Sequence, residues 1–539
     1  NANSAITARA NALYDGGSLG LNVQGQGMNV GVWDGGQVRE DHVEFSPFKV
    51  VNMNPTVENS NHATHVMGTI IANGTNPAVR GLAFNATGES YDWNNDSSEM
   101  SFAASTGLLV SNHSYGPSTS GANNWFFGAY DTSAAQMDLL AFNAPYYLIV
   151  KSAGNDRNAT NDPVIGPYLL LKGGYNLIKT WGNSKNIMTV GAVNQVLSYV
   201  DATSVVMSSF SSWGPSDDGR IKPDIVAKGV NVLSTTIGST TSTGAQSGTS
   251  MSSPAVSGVA LLLQQHYNNL YTSYMKAATL KGLILHTADE AGYYPGPDYE
   301  YGWGLINAQK AATTISGKSS NSSIIDELNL VSGQSYTRTV AVTNGQPLMV
   351  SISWTDRAGT ANNAQVDPTN LNLVNDLDLR ITKNSVMYYP WTLEPTMTYA
   401  EASQNTDNFR DNFEKVHINN PDGLYTITVT HKGTLVGGSQ DFSMIVTGSN
   451  VTLNTESFEI PTGFSIYPNP TNGMFTLQTF DLELDSTVRV YDTNGRMILS
   501  KTIQSDMTPI DLSNVTEGIY YVNYSDSTKS ETKKIVVKR

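Results

Sequence analysis

The chain has 539 residues, with 31 Lys plus Arg against 46 Asp plus Glu and a formal charge of −15. That acidic balance argues against a polyanionic partner such as nucleic acid, and the absence of cysteine excludes disulfides, thiolate metal sites and a cysteine nucleophile. The length exceeds one ordinary domain of about 100 to 200 residues, so two or three modules are expected.

The opening stretch, NANSAITARA, has neither an initiator Met nor a basic and apolar leader and reads as already processed. No run approaches the ~18 apolar residues of a membrane-spanning helix, so no transmembrane segment is expected. From about residue 28 to 310, β-rich apolar runs alternate with helical patterns. MNVGVWD ends at Asp34, GLLVSNHS at Ser114, YYLIVKSAGN at Asn155 and IMTVGAV at Val193. HATHVMGTIIAN, closed by Gly74, and SPAVSGVALLLQQHY have the helical period. Alternation of this kind predicts a mostly parallel sheet covered by helices on both faces. Functional residues of such sheets gather at the carboxyl ends of the strands.

After YGWGLINAQKAA (301–312) the pattern changes. The polar stretch SGKSSNSS leads into the short alternating strands YTRTVAVT, LMVSISW, LDLRIT and YTITVTH, the signature of an all-β sandwich or barrel. A third shift follows VTLNTESFEIPTG, where FSIYPNPTNGMFTLQ, STVRVYDTNGRMIL and GIYYVNY form a small strand-rich module with a basic end, KSETKKIVVKR. The expected division is an α/β domain over 1–316, a β-sandwich over 317–450, a linker over 451–462 and a second all-β module over 463–539.

Two histidines, His62 and His65, stand three positions apart in NHATHVMGTI. Residues at that spacing are neighbours on a helix, so periodicity does not choose between them. A His pair with no Glu between is weak ground for a zinc site. In AQSGTSMSSPAVSG (245–258) a Gly-Thr-Ser turn feeds into an apolar-periodic helix, which would set Ser250 at its positive end among backbone amides. A Ser-rich loop in that position is also an ordinary cap. Read together, VGVWDGG supplies a carboxylate at a strand end, NHATHVMGT an imidazole at a helix start and SGTSMSSP a hydroxyl at another.

In these segments, ordered Asp, His, Ser, the sequence resembles the subtilisin-like serine proteases (subtilases) over roughly residues 25 to 310. The block SSFSSWGPSDDGRIKPDIVAKGVNVLST and the KSAGN segment belong to the same likeness. The resemblance implies a subtilisin-like catalytic domain with Asp34, His62 and Ser250 as catalytic residues and His65 as a packing residue. It further implies Asn155 as a side-chain oxyanion donor beside the Ser250 amide. Ser114, Tyr115 and Gly116, within NHSYGPSTSGA (112–122), are implied to pair with extended substrate and to form one wall of the primary pocket. These residue types suit the chemistry. A serine hydroxyl is a weak nucleophile at neutral pH, so a neutral imidazole must take its proton. An anionic carboxylate fixes the ring tautomer and stabilises the imidazolium, and the charge developing on the carbonyl oxygen needs donors. The implied activity is that of a secreted serine endopeptidase acting on extended polypeptides through an acyl-enzyme. An idle surface-binding protein and a hydrolase of small esters or amides are the competing readings, and the intact set of four residues speaks against the first. The family pattern is broken at Gly35, where Ser is usual, at Ala63 in place of Gly, and at Lys228 in place of Pro. None of these removes a reacting atom.

The block LNLVNDLDLRI (371–381), between SWTD and RDNFEKV, looks like the P-domain-like or jelly-roll sandwich found behind some bacterial subtilase domains, which can bind calcium. Carboxylates at loop edges suit a hard, oxygen-seeking cation, so Asp376, Asp378 and Asp411 are candidate ligands. Alternating DLDL is equally the pattern of an edge strand with one wet face. No organic cofactor is expected. The last module resembles the C-terminal sorting domain of Bacteroidetes type IX secretion, in the YPNPTNG start, the VYDTNGR turn, the GIYYV strand and the basic end. Pro and Asn-Gly turns between alternating runs give a small sandwich from the residues themselves. Export comes from the resemblance alone, which implies the outer-membrane type IX machinery as a partner and a secreted or outer cell-surface location. The family usually loses this module after export, so its presence suggests an incompletely matured form.

Overall fold

The computed structural model describes all residues except 56, 118–122, 164, 321, 460–462, 480–485 and 528, and only the backbone of 450 and 452–459. Seven strands form the first sheet: β1 (Asn29–Asp34), β2 (Val50–Asn52), β3 (Thr87–Asp92), β4 (Val110–His113), β5 (Leu148–Ser152), β6 (Met188–Val193) and β7 (Ile225–Lys228). Their order is β2-β3-β1-β4-β5-β6-β7 and every pairing is parallel. The strands β1, β5 and β6 are mainly apolar and buried on both faces, as a helix-covered parallel sheet requires. From β1 the chain winds to β3 and β2 on one side and to β4 through β7 on the other, so the order reverses at β1. Ligand crevices form at such a switch point, beyond the carboxyl ends of the strands. Register brings those ends level: Asp34 lies opposite Asp92, Trp33 opposite His113, and His113 opposite Lys151.

Two helices matter most for the site. Asn61–Ile71 begins at Ser60, whose side chain accepts from the Ala63 amide as an N-cap. Thr249–Tyr271 is buried along most of its length and packs against the sheet, where Ser253 and Ser257 reach Asn112 of β4. An antiparallel hairpin, β8 (Val232–Thr235) and β9 (Thr243–Gln246), leads into it.

The next region is a two-layer sandwich. One sheet joins β10 (Ser323–Val331), β17 (Ser439–Thr447), β12 (Leu348–Ser353) and β15 (Phe413–Ile418). The other joins β14 (Val386–Tyr388), β13 (Leu377–Lys383), β16 (Gly423–His431), β11 (Ser335–Thr343) and β18 (Ser449–Glu459). Alternate residues of β11 and β16 face a core that includes Tyr336, Ile352, Ile427 and Trp354. Where the sequence pattern changes, the helix Ala308–Ser319 ends the first domain and Ser323 starts β10. This sandwich is seated on the first domain. The helix Ala277–His286 lies against β12 and β17, where a Cβ on Gly282 would stand 2.8 Å from that of Ser353. His286 bonds Ser351 through Nδ1 and Thr447 through Nε2, at 2.8 and 2.9 Å.

Two further antiparallel sheets, of three and four strands, occupy 464–537 around Phe464, Leu477, Val490, Val522 and Ile535. Among the described residues, no helix is long and apolar enough to cross a membrane.

Candidate active site

Asp34 is the last residue of β1 and its side chain is 3% exposed. The next amide, Gly35 N, donates to its Oδ1 at 2.7 Å. His62 is the second residue of its helix, and its Nδ1 lies 2.8 Å from both Asp34 oxygens. The imidazole is 36% exposed, so the carboxylate is shut from water while the ring keeps an open edge. Burial pulls the His62 pKa down, but the hydrogen bond and charge of Asp34 outweigh it and hold the ring above its usual 6.5. Gly35 has a local reason: a Cβ there would stand 2.6 Å from the Trp93 ring, which fills the space. Ala63, the other departure in this region, is fully buried and still supports the helix start.

Ser250 is the second residue of the helix Thr249–Tyr271, at its positive end. Its Oγ donates to the Ser114 carbonyl at 3.0 Å, and the Ser114 Oγ donates in return to the Ser250 carbonyl at 3.0 Å. Pro254 explains the second bond. It has no N–H for the carbonyl four residues back, which is that of Ser250, and the freed oxygen turns to Ser114. Asn112, buried at the end of β4, fixes the arrangement from beneath: its Nδ2 donates to the Ser114 Oγ at 3.0 Å and its Oδ1 accepts from Ser253 and Ser257. No motif of the sequence assigns Asn112 a role; its signal is the run of polar residues Ser111, Asn112 and His113 in a fully buried strand.

Asn155 follows β5 in the turn Ala153–Asn155. Its Oδ1 accepts from the Thr249 amide at 2.8 Å and the Thr249 Oγ1 at 3.0 Å, which fixes the amide flip and turns Nδ2 outward. A Cβ built on Gly248 would stand 3.4 Å from Asn155 Nδ2 and 3.6 Å from the Ser250 amide nitrogen. Two donors therefore border one small space, which only the absent side chain at Gly248 leaves open. Of the predicted pocket wall, Ser114, Tyr115 and Gly116 directly follow β4 and Ser114 meets Ser250, while 118–122 fall outside the described residues. Tyr115 is tied down by donating to Asp96 at 2.7 Å.

His65 is fully buried one turn deeper, with Nε2 bonded to the Val232 and Gly244 carbonyls at 2.9 and 3.1 Å. Burial pushes it down to about 4, so it stays neutral. Lys228, in place of Pro, donates to the Val230 and Asn231 carbonyls at the end of β7.

The three acidic residues read as calcium ligands are not brought together. Asp378 pairs with Lys432 and, at 3.1 Å, with Arg380; Asp376 faces Lys432 at 3.5 Å. Asp411 lies elsewhere, accepting from the Ile221 amide at 2.8 Å and from Asn408 at 3.1 Å. Side-chain cations already fill the place between Asp376 and Asp378, and no group of three or more acidic or histidine side chains suited to a metal occurs among the described residues. The ligand set Asp376, Asp378 and Asp411 therefore does not fit a calcium ion. Sequence order placed the three near one another, but strand pairing separates Asp411 from the other two and recruits Lys432.

Residues 25–304, just over half of the chain, match the model of the subtilase peptidase family, and residues 465–538 match that of the secretion system C-terminal sorting domain. The chain is a subtilase. Among curated relatives, the C5a peptidase of Streptococcus pyogenes is 34% identical over 174 residues, covering 30% of this chain and 14% of that protein. Bacillopeptidase F of Bacillus subtilis is 37% identical over 112 residues, 20% of this chain and 7% of that one. The chain thus spans a small part of the length of these relatives. Among solved structures, the self-cleaved protease domain of PatA matches 55% of this chain and 98% of its own, with 22% identity and a TM-score of 0.41. As a subtilase the chain carries a serine-peptidase domain, and its end carries a sorting domain of the kind that directs proteins to secretion and the outer surface.

Proposed function

We propose that this subtilase is an endopeptidase that cuts extended polypeptides through an acyl-enzyme, with Ser250 as nucleophile, His62 as base and Asp34 as the group that orients and charges the base. The observation that carries the reading is the His62 Nδ1 held 2.8 Å from both oxygens of a buried carboxylate, which leaves Nε2 as the proton acceptor. On substrate binding the Ser250 hydroxyl turns from the Ser114 carbonyl to His62 and attacks the peptide carbonyl. The oxyanion that forms takes hydrogen bonds from Asn155 Nδ2 and the Ser250 amide, the two donors that border the space at Gly248. Protonated His62 then passes its proton to the leaving amine, and a water reverses the steps to free the enzyme. The segment Ser114–Gly116 pairs with the substrate backbone, and Ser152–Asn155 forms the facing wall. Extended pairing favours unfolded or flexible chains over compact ones.

Two measurements test this. Ser250→Ala should abolish hydrolysis of an unfolded protein substrate with the thermal transition unchanged, because a small, partly exposed hydroxyl contributes little to stability. A serine-directed sulfonyl fluoride should modify Ser250, seen by peptide mass, and should fail to do so in His62→Ala. Hydrolysis by Ser250→Ala would show that another group is the nucleophile, and equal labelling of both proteins would show that His62 is not its base.

A further inference from the structure

Lys151 is a buried ammonium for which the reaction has no use. It sits in β5, opposite His113 in β4, and is 5% exposed. Its Nζ donates to the Ser152 carbonyl at 2.9 Å and to the Ser152 Oγ at 3.2 Å. The flanking surfaces are aromatic, with the Trp181 ring centroid 5.1 Å and the Tyr115 centroid 6.0 Å from Nζ. An ammonium has three N–H donors, and a buried charge ordinarily finds a counter-charge. Among the described residues no carboxylate lies within ion-pair distance of this one. The nearby Asp156 is engaged by Lys179 at 3.1 Å, and Lys179 also donates to the Pro117 carbonyl. Two cations therefore share one anion here, on a chain whose overall charge is −15. Burial first, then Lys179, lowers the Lys151 pKa to about 7 against the opposing pull of Asp156, which expresses the same missing partner.

The direction of the charge is fixed by Gly116. A Cβ built on Gly116, which is exposed, would meet Lys151 Nζ at 3.7 Å and no other atom of the described residues within 4 Å. The ammonium thus lies directly against the exposed Gly116, at the surface that the segment Ser114–Gly116 presents. Ser152, which takes two of the ammonium's hydrogen bonds, begins the proposed facing wall Ser152–Asn155, which ends in the candidate oxyanion donor.

We infer that Lys151 forms the floor of the pocket for the substrate residue preceding the cut and selects an acidic side chain, Glu or Asp, at that position. The inference rests on the proposed role of Ser114–Gly116 as the substrate-pairing segment. A carboxylate entering between the two walls supplies the missing counter-ion, takes the third N–H of the ammonium and offsets the local surplus of positive charge. A neutral amide of the same shape leaves the cation unmatched. A charge-assisted hydrogen bond in such a site is worth about 10- to 100-fold in relative rate.

The test uses the full chain and fluorogenic peptides that differ only in the residue before the cut: Glu, Gln, Leu or Lys. The wild type should cleave the Glu peptide with a kcat/KM about 10- to 100-fold above the Gln peptide. Lys151→Met and Lys151→Gln, two variants in case one fails to fold, should bring the Glu-to-Gln ratio to within about threefold of unity, with the Lys peptide improved in rank. A wild-type ratio near one, a preference for Leu or Lys, or a ratio that survives in a folded Lys151 variant overturns the inference. Binding of uncleaved peptides to Ser250→Ala, read by fluorescence anisotropy, separates this question from the catalytic one. Tighter binding of Glu than Gln supports the acidic pocket whatever residue is the nucleophile, and equal binding overturns it. Residual hydrolysis by Ser250→Ala counts against the proposed nucleophile alone, since the wild-type ratio still decides Lys151.

Discussion

His62 carries two opposed influences in one ring. Burial disfavours its charged form, while the Asp34 carboxylate favours it more, and the balance leaves the pKa above 6.5. A base works only when neutral, so kcat/KM should rise with pH through a point above 6.5. The stabilising effect of the same pair runs the other way. A histidine whose folded pKa is raised contributes stability that is complete below the unfolded value and is lost as pH climbs through the folded one. The pair is therefore weakest as a structural contact where it is most useful as a base. Asp34→Asn should move the acid limb of the profile to lower pH and reduce turnover by about 10⁴-fold, the scale known for loss of the tautomer-fixing carboxylate in another serine protease. A limb that stays in place would mean that Asp34 does not govern the ring. Strand pattern and motif order made Asp34, His62 and Ser250 legible as residues. The bond from Ser250 to Ser114 was not legible, because it depends on which carbonyl lies opposite once β4 and the Ser250 helix are packed.

Helix Asn61–Ile71 shows how one element divides two similar side chains. His62 and His65 are neighbours on its surface, and no periodicity distinguishes them. Their surroundings do. His62 stands at the open first turn facing β1, and His65 faces the hairpin β8–β9, where one N–H bridges two carbonyls. Gly68, one turn further, allows the close approach, since a Cβ there would stand 2.1 Å from the Thr235 Oγ1. The helix is thereby clamped to the hairpin that leads into the Ser250 helix. His65→Leu leaves the Val232 and Gly244 carbonyls without that donor and should cost about 1–3 kcal/mol in urea unfolding. No change would assign the clamp to Gly68 packing alone. His65, Gly68 and the hairpin are far apart in sequence, so their joint role emerges only in three dimensions.

The α/β domain and the sandwich behave as one folded body at their boundary. Lys185, before β6, and Asp356, after β12, are both fully buried and pair at 2.5 Å. The Lys185 ammonium also donates to the Arg357 and Asn372 carbonyls at 2.7 and 2.6 Å. Removing one partner strands a buried charge, so Lys185→Met should lower stability by about 3–5 kcal/mol, and the double change Lys185→Met with Asp356→Leu should recover much of it. Chemical unfolding of the three proteins checks this; additive losses would mean that the pair is not coupled. Arg380 and Lys432 perform a comparable service for Asp376 and Asp378, whose charges are met by side-chain cations. Composition announced an acidic protein but not which acids would be neutralised from within.

By itself the sequence determined the alternation of strand and helix, the change to two-residue alternation near 316, and the identity of the chemical groups at the strand and helix ends. Those are local properties, set by side-chain period, turn residues and capping. Only the tertiary structure decided that Asn155 and the Ser250 amide border one space, that Lys151 lies beneath Gly116, and that Asp411 is remote from Asp376. Such relations depend on strand order and on which buried groups find a partner, and those are settled by the packing of segments distant in the chain.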